Sequence, residues 1–227
     1  MKKQMVDYRG FRFSRLHEAR FSHIKLLLGW VFYFSMYFLT ENLIPPERCH
    51  VIHCALDDLI PFQEFFVIFY VGWYLLVFGS LLYYFLYDVD SFKKLQIFII
   101  ITQVLAMACY ILYPSRQDLR PESFARDNVL TQLLGLIYAF DTNTGVFPSL
   151  HVAYSLGILS VFCKDRHTSR VARLLLTVFV LCICAAVCFV KQHSVLDVLA
   201  ALPPCLLAEG IVYGKSYWLP RLRRGGT

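Results

Sequence analysis

The sequence predicts an all-α, polytopic membrane protein: a bundle of six transmembrane helices with its active site at the non-cytoplasmic face. Three observations predict it. The chain is 58% hydrophobic with a mean hydropathy of +0.54, far above the apolar share of ordinary soluble domains. Apolar windows near the length that crosses a bilayer core, about 20 residues, recur along it. The basic residues gather on alternate connections between those windows.

The windows are 24–40, 65–87, 95–113, 149–163, 172–190 and 194–214. The fourth is short, and the sixth is interrupted by Asp197, Glu209 and the Pro203-Pro204 pair. Six such runs in 227 residues leave too little polar surface to cover them in water, which argues against a soluble protein with buried core helices. No internal repeat or low-complexity segment is present. The start is polar and basic, with no small-residue cleavage site after the first window, so no cleavable signal peptide is expected. One membrane-embedded domain is expected over 1–227, with a basic N-terminal segment (1–23) and a basic tail (215–227).

The net charge of +6 is a topological signal. With the N-terminus in the cytoplasm, segments 1–25, 88–94, 164–173 and 215–227 face inward. They hold 17 of the 22 Lys and Arg but only 5 of the 16 Asp and Glu. This is the positive-inside asymmetry, and it accounts for the basic excess without a nucleic-acid partner. The partners expected are the bilayer, anionic lipid heads at the termini and a membrane lipid substrate. The oligomeric state is open, a homo-oligomer included. Compactness and the lack of sorting signals place the chain in a bacterial cytoplasmic membrane.

Eight cysteines are present. Cys109, Cys182, Cys184, Cys188 and Cys205 lie in apolar windows, where cysteine behaves as a small hydrophobe. Cys49 and Cys54, in "ERCHVIHC", stand in the first outer loop beside His50 and His53. Free thiols, a disulfide and a metal cluster are all open there, although the spacing is not that of a common zinc module.

The same topology sends 41–64, 114–148 and 191–197 to one face, bringing Arg116, Arg120, His151, Lys191, His193 and Asp197 together. Ionisable groups at a membrane edge are costly and are functional candidates. His193 and Asp197 are four apart and share a helix face. A carboxylate beside an imidazole fixes its tautomer and leaves the other ring nitrogen as base or nucleophile; a simple helix-end ion pair has the same spacing. In "VFPSLHVAYS" (146–155), Ser149 is the expected N-cap and His151 falls in the first turn, where free backbone N–H groups and the helix dipole favour an anion such as phosphate. A lone histidine there is also consistent with a bond to a neighbouring carbonyl. Arg116 and Arg120 offer bidentate phosphate contacts. Together the set suits phosphoryl transfer through histidine: one imidazole attacks phosphorus, the other protonates the leaving oxygen, and cations with backbone N–H groups hold the equatorial oxygens.

Three of these segments, "LRP" (119–121), "PSLH" (148–151) and "HSVLD" (193–197), resemble the ordered motifs of the type 2 phosphatidic acid phosphatase superfamily. The resemblance covers roughly 65–214. It implies that His193 is the nucleophile that becomes phosphohistidine, Asp197 its orienting partner, His151 the general acid and then base, and Arg120 a phosphate clamp. It implies no metal and no other cofactor. The chain departs from the family pattern at Tyr113, where Lys is usual, at Leu150, where Gly is usual, and at Ala186 and Val187, where Ser-Arg is usual. Two cationic phosphate ligands are thus absent; Arg116 and Lys191 are the cations expected in their place. His-x-x-x-Asp-Val-x-x-Ala at 193–201 is similar to the motif of sphingomyelin synthases and inositol phosphoceramide synthases, which transfer a phosphorylated head group to a lipid alcohol. The resemblance therefore implies a lipid phosphatase or head-group phosphotransferase. The segment "ALDDLIPFQEFF" (55–66) is expected to close over the site. The competing reading is a non-enzymatic lipid-binding protein or transporter derived from the same fold.

Overall fold

The computed structural model describes residues 5–225; the first four residues of the N-terminal segment and the last two of the tail lie outside them. The chain is helical, and its centre is α4 (Val89–Leu112). Phe92, Leu95, Ile99, Thr102, Ala106 and Tyr110 are buried along it at three- and four-residue steps, the spacing of one helical face. Asp88 starts this helix by accepting the Ser91 amide and hydroxyl. α3 (Val67–Tyr87), α6 (Leu150–Lys164) and α9 (Leu202–Tyr213) pack around α4, and α7 (Arg170–Phe189) closes against α3 and α6. α1 (Leu28–Leu43) rests on α4 with none of its own residues buried.

The outward faces are apolar. On α7, Val171, Leu174, Leu175, Val178 and Leu181 are all exposed, again at helical spacing. Such a stripe has no place against water and fits acyl chains. Five helical stretches are long and apolar enough to cross a membrane: Ser22–Leu43, Glu64–Tyr87, Val89–Leu112, Arg170–Phe189 and Val195–Arg223. By length and composition this is a multi-pass membrane protein. The fourth window forms α6, whose 15 residues advance only about 22 Å against a hydrocarbon core of about 30 Å.

The sixth window is one helical stretch with a single turn residue, Ala201, between two helices. α8 (Val195–Ala200) ends at Ala201, and α9 begins with Pro203 and Pro204 in its first turn, where a missing N–H costs least. The acid that made the window doubtful, Glu209, is paired with Lys164 at 2.6 Å and accepts from the Ser160 hydroxyl and the Trp218 indole. A carboxylate so satisfied can sit on an otherwise apolar helix.

At the opposite end of the bundle from that pair, three connections meet. β1 (His50–Val51) and β2 (Ser115–Arg116) form a two-residue parallel ribbon, with His50 opposite Ser115. α2 (Ala55–Leu59) and α5 (Val129–Phe140) lie beside it, neither visible as an apolar window. α5 has its own start signal: Asn128 accepts from the Leu130 and Thr131 amides while Thr131 accepts from the Asn128 amide.

α4 and α6 touch at Gly157. A Cβ there would stand 2.6 Å from Phe98 Cδ1, too close for any real contact. Gly157→Val therefore lowers stability in detergent by about 1–3 kcal/mol, measured as an earlier melting transition, because either the ring or the helix must shift.

Candidate active site

His193 lies in the tight turn between α7 and α8. Lys191, within that turn, takes a left-handed backbone with φ of 54°, and its side chain is fastened by donating to the Asp57 and Ile60 carbonyl oxygens. Ser194 caps α8 by accepting from the Leu196 amide. This geometry puts His193 and Asp197 on one side of the first turn of α8. The His193 Nδ1 and Asp197 Oδ2 are 3.1 Å apart, and Oδ2 also accepts from the Ser194 amide at 2.9 Å. Asp197 is wholly buried.

The second imidazole comes from α6. His193 Nε2 faces His151 Nδ1 at 3.3 Å, and the rings are close to perpendicular. The His151 ring is wedged against Trp73, 4.2 Å between ring centres, and Tyr70 at 4.7 Å. The 3.3 Å contact is a direct hydrogen bond, so one nitrogen donates and the other accepts. If Nδ1–H of His193 is given to Asp197, its Nε2 lone pair accepts from His151. No third atom fits between the two nitrogens in this arrangement.

Ser149 holds the N-cap position of α6, but its hydroxyl does not cap the helix; the expected side-chain bond is not made. Its amide instead donates to the Asp197 carbonyl oxygen at 3.0 Å, tying the two histidine-bearing segments together. Three buried polar atoms of this cluster, Ser149 Oγ, His151 Nε2 and Asp197 Oδ1, have no hydrogen-bond partner among the described residues. Polar atoms left so are costly unless something else binds them. The first-turn amides of α6 are likewise unpaired within the helix.

The cations are spent differently from what the sequence leads one to expect. Arg120 does reach the site, but through Gln192: Nε and Nη2 both donate to Gln192 Oε1, and the remaining bonds go to the carbonyl oxygens of Tyr138, Asp141 and Thr142. Its guanidinium also lies over the Tyr138 ring, 4.6 Å from its centre. The hydrogen-bond partners are neutral, but the Asp141 carboxylate lies close enough to act on the guanidinium charge through space. Gln192 passes the link on to Tyr70 and Asp141, and the Tyr70 hydroxyl donates to Asp141 Oδ2 at 2.8 Å. Lys191 uses its ammonium on the backbone of α2 and the residue after it. Arg116 is not brought to the histidines; it donates to the Pro46 carbonyl and pairs with Asp118 at 3.2 Å. Cys49 and Cys54 are both free thiols, His50 is stacked on Tyr113, and His53 is paired with Asp58. Among the described residues no cluster of three or more His, Cys, Asp or Glu could hold a metal.

Sequence reasoning missed Asp57, Tyr70, Trp73, Asp141 and Gln192. Only Asp57 carried a signal, as an acid in the segment expected to cover the site. Its two oxygens accept from the Ser194 hydroxyl at 2.6 Å, the Val195 amide at 2.8 Å and the Cys54 amide at 2.8 Å. Burial alone would raise its pKa; these hydrogen bonds outweigh it and hold the carboxyl below the usual Asp value.

From one end of a cleft, His151, His193 and Gln192 look into a cavity of about 640 Å³. The rest of its wall is mostly apolar and aromatic, supplied by α1, α3, α4 and α6, with Asp141, Thr142 and Thr144 adding polar groups from the loop before α6.

The depressed Asp57 pKa fixes a sign. Its stabilising contribution is full above the unfolded Asp pKa, about 4, and disappears as pH falls through the lower folded value. Melting curves of wild type and Asp57→Asn therefore differ most near neutral pH and converge toward pH 3; a gap that widens in acid contradicts the assignment. No protein-family model, curated protein or solved structure matches the chain.

Proposed function

We propose that the protein is a lipid phosphatase or head-group phosphotransferase that works through a phosphohistidine on His193, at the non-cytoplasmic face of a six-helix membrane bundle in which α6 is the short sixth element. The observation that carries this reading is the Asp197–His193–His151 relay opening onto an apolar cavity, with buried polar atoms left unpaired around it. A relay of this kind needs a substrate with a charged head and an apolar body, and a lipid phosphate has both.

Substrate displaces the His151–His193 hydrogen bond and parts the two rings. The His193 Nε2 lone pair attacks phosphorus, and the bond from phosphorus to the lipid oxygen breaks. His151, protonated beside the phosphate's negative charge, gives its proton to that oxygen. The acceptor, water or a lipid alcohol, then loses its proton to His151 and attacks phosphorus; the P–N bond breaks and returns the lone pair to His193. Asp197 holds the imidazolium-like ring in place throughout. Ser149 Oγ and the first-turn amides of α6 are the groups at hand for the equatorial oxygens, with the Arg120 guanidinium held behind Gln192.

One observation favours the competing, non-enzymatic reading: Lys191 is tied to carbonyl oxygens and Arg116 to Asp118, so neither replaces the cationic ligands absent from the sequence. Activity separates the two. Purified protein in detergent releases phosphate from a lipid phosphate, or moves a phosphorylated head group to an added lipid alcohol, with EDTA present. His193→Ala lowers turnover by at least about 1,000-fold and Asp197→Asn by at least about 100-fold, with melting temperatures close to wild type. Full turnover in His193→Ala removes the mechanism.

A further inference from the structure

The cavity beside the histidines is a groove with a floor. One wall is the face of α1 that carries Trp30, Phe34 and Tyr37; the other is the face of α3 that carries Phe78, Leu81 and Phe85. Each set recurs at three- and four-residue steps, so each wall is one continuous helical stripe. α1 packs on α4 rather than on α3, which leaves the two walls apart.

The groove begins at Trp73, whose ring lies against His151, and ends at Phe85 and Phe92. Along α3 that is a rise of about 18 Å. The floor is backed from below. Tyr8 stacks on Phe85, 4.9 Å between ring centres and nearly parallel, and its hydroxyl donates to the Phe85 carbonyl oxygen at 2.6 Å. The Val6 amide donates to the Leu86 carbonyl oxygen, and the buried His23 ring meets Phe92 edge-on while its Nε2 is hydrogen-bonded to the Tyr8 hydroxyl. The N-terminal segment thus closes the end of the groove remote from the histidines.

We propose that this groove is a chain-length gauge: it takes one hydrocarbon tail of a lipid phosphate, of about 15 carbons measured from the phosphate, and the floor at Phe85 and Phe92 sets that limit. The length follows from the rise of the groove and the advance of an extended chain, about 1.2 Å per bond. A shorter tail leaves the lower walls without partners, and a longer one meets a floor held by hydrogen bonds. The proposal rests on the phosphoryl-transfer reading for the identity of the head group, but not for its test.

The test uses non-hydrolysable alkyl phosphonates with chains of about 8 to about 20 carbons and one bromine near mid-chain, the heavy atom quenching nearby tryptophan fluorescence. Trp30 and Trp73 line the groove, and the third tryptophan is removed in a Trp218→Phe background. Affinity peaks near 15 carbons and falls about tenfold for the longest chains. Leu81→Phe narrows the groove about 12 Å below Trp73 and moves the peak to about 10 carbons; Phe85→Ala deepens it and moves the peak upward. Affinity that is flat across the series overturns the gauge, as does a peak unmoved in both variants when each melts like wild type. Binding needs no turnover. A length optimum without phosphate release sinks the reaction and keeps the groove, whereas phosphate release with a flat binding profile keeps the reaction and sinks the gauge.

Discussion

The carboxylate of Asp57 joins two stretches of chain that lie 137 residues apart. It gathers the Ser194 hydroxyl and the Val195 amide, so it fixes the residues directly after His193. Lys191 makes the reverse connection, from the same turn back to the backbone of Asp57 and Ile60. The turn that carries His193 includes a residue in the left-handed region, which a chain adopts at a cost unless its surroundings hold it there. These hydrogen bonds hold it. With the turn fixed, Asp197 meets Nδ1 of His193, the Asp197 carbonyl meets the Ser149 amide, and α6 is set so that His151 faces Nε2. Every feature of the site follows from that fastening.

The same economy explains where the charges are. A bundle with lipid on its outer faces has few places for ionised groups. Lys164 and Glu209 satisfy each other at one end of α6 and α9. At the other end Asp57, Asp141, Asp197 and Lys191 are each hydrogen-bonded beside the imidazoles, with Arg120 set behind Gln192. His151 lies beside Trp73, six residues into α3 and thus about 9 Å below its start, so the site is recessed in the bundle. A recessed site strengthens each electrostatic contact made within it. The two imidazoles stand at one end of the groove lined by α1 and α3.

The helical class was legible because hydropathy is a property of long windows, and five of the six windows form stretches long enough to cross a bilayer. The histidine dyad was legible because His193 and Asp197 are four apart on a helix and because the topology carried 149–151 and 191–197 to the same end. What stayed hidden depends on contacts between segments distant in sequence. Nothing in "KQHS" says that Gln192 receives Arg120, and nothing around Arg116 says that Asp118 and Pro46 will take it. α5 escaped because twelve residues are too few for a hydropathy window, though its Asn128–Thr131 cap was there to be read. Ser149 occupies the N-cap position without capping, since its amide is drawn to Asp197 while its hydroxyl remains unpaired.

The covalent step is the claim on which the functional account turns. Protein mixed with a radiolabelled lipid phosphate, denatured in alkali within the first turnover and digested, should carry label on the peptide containing His193. The label should survive base and be lost in acid, as a phosphoramidate is. Label on another residue, or none while product accumulates, would contradict the account.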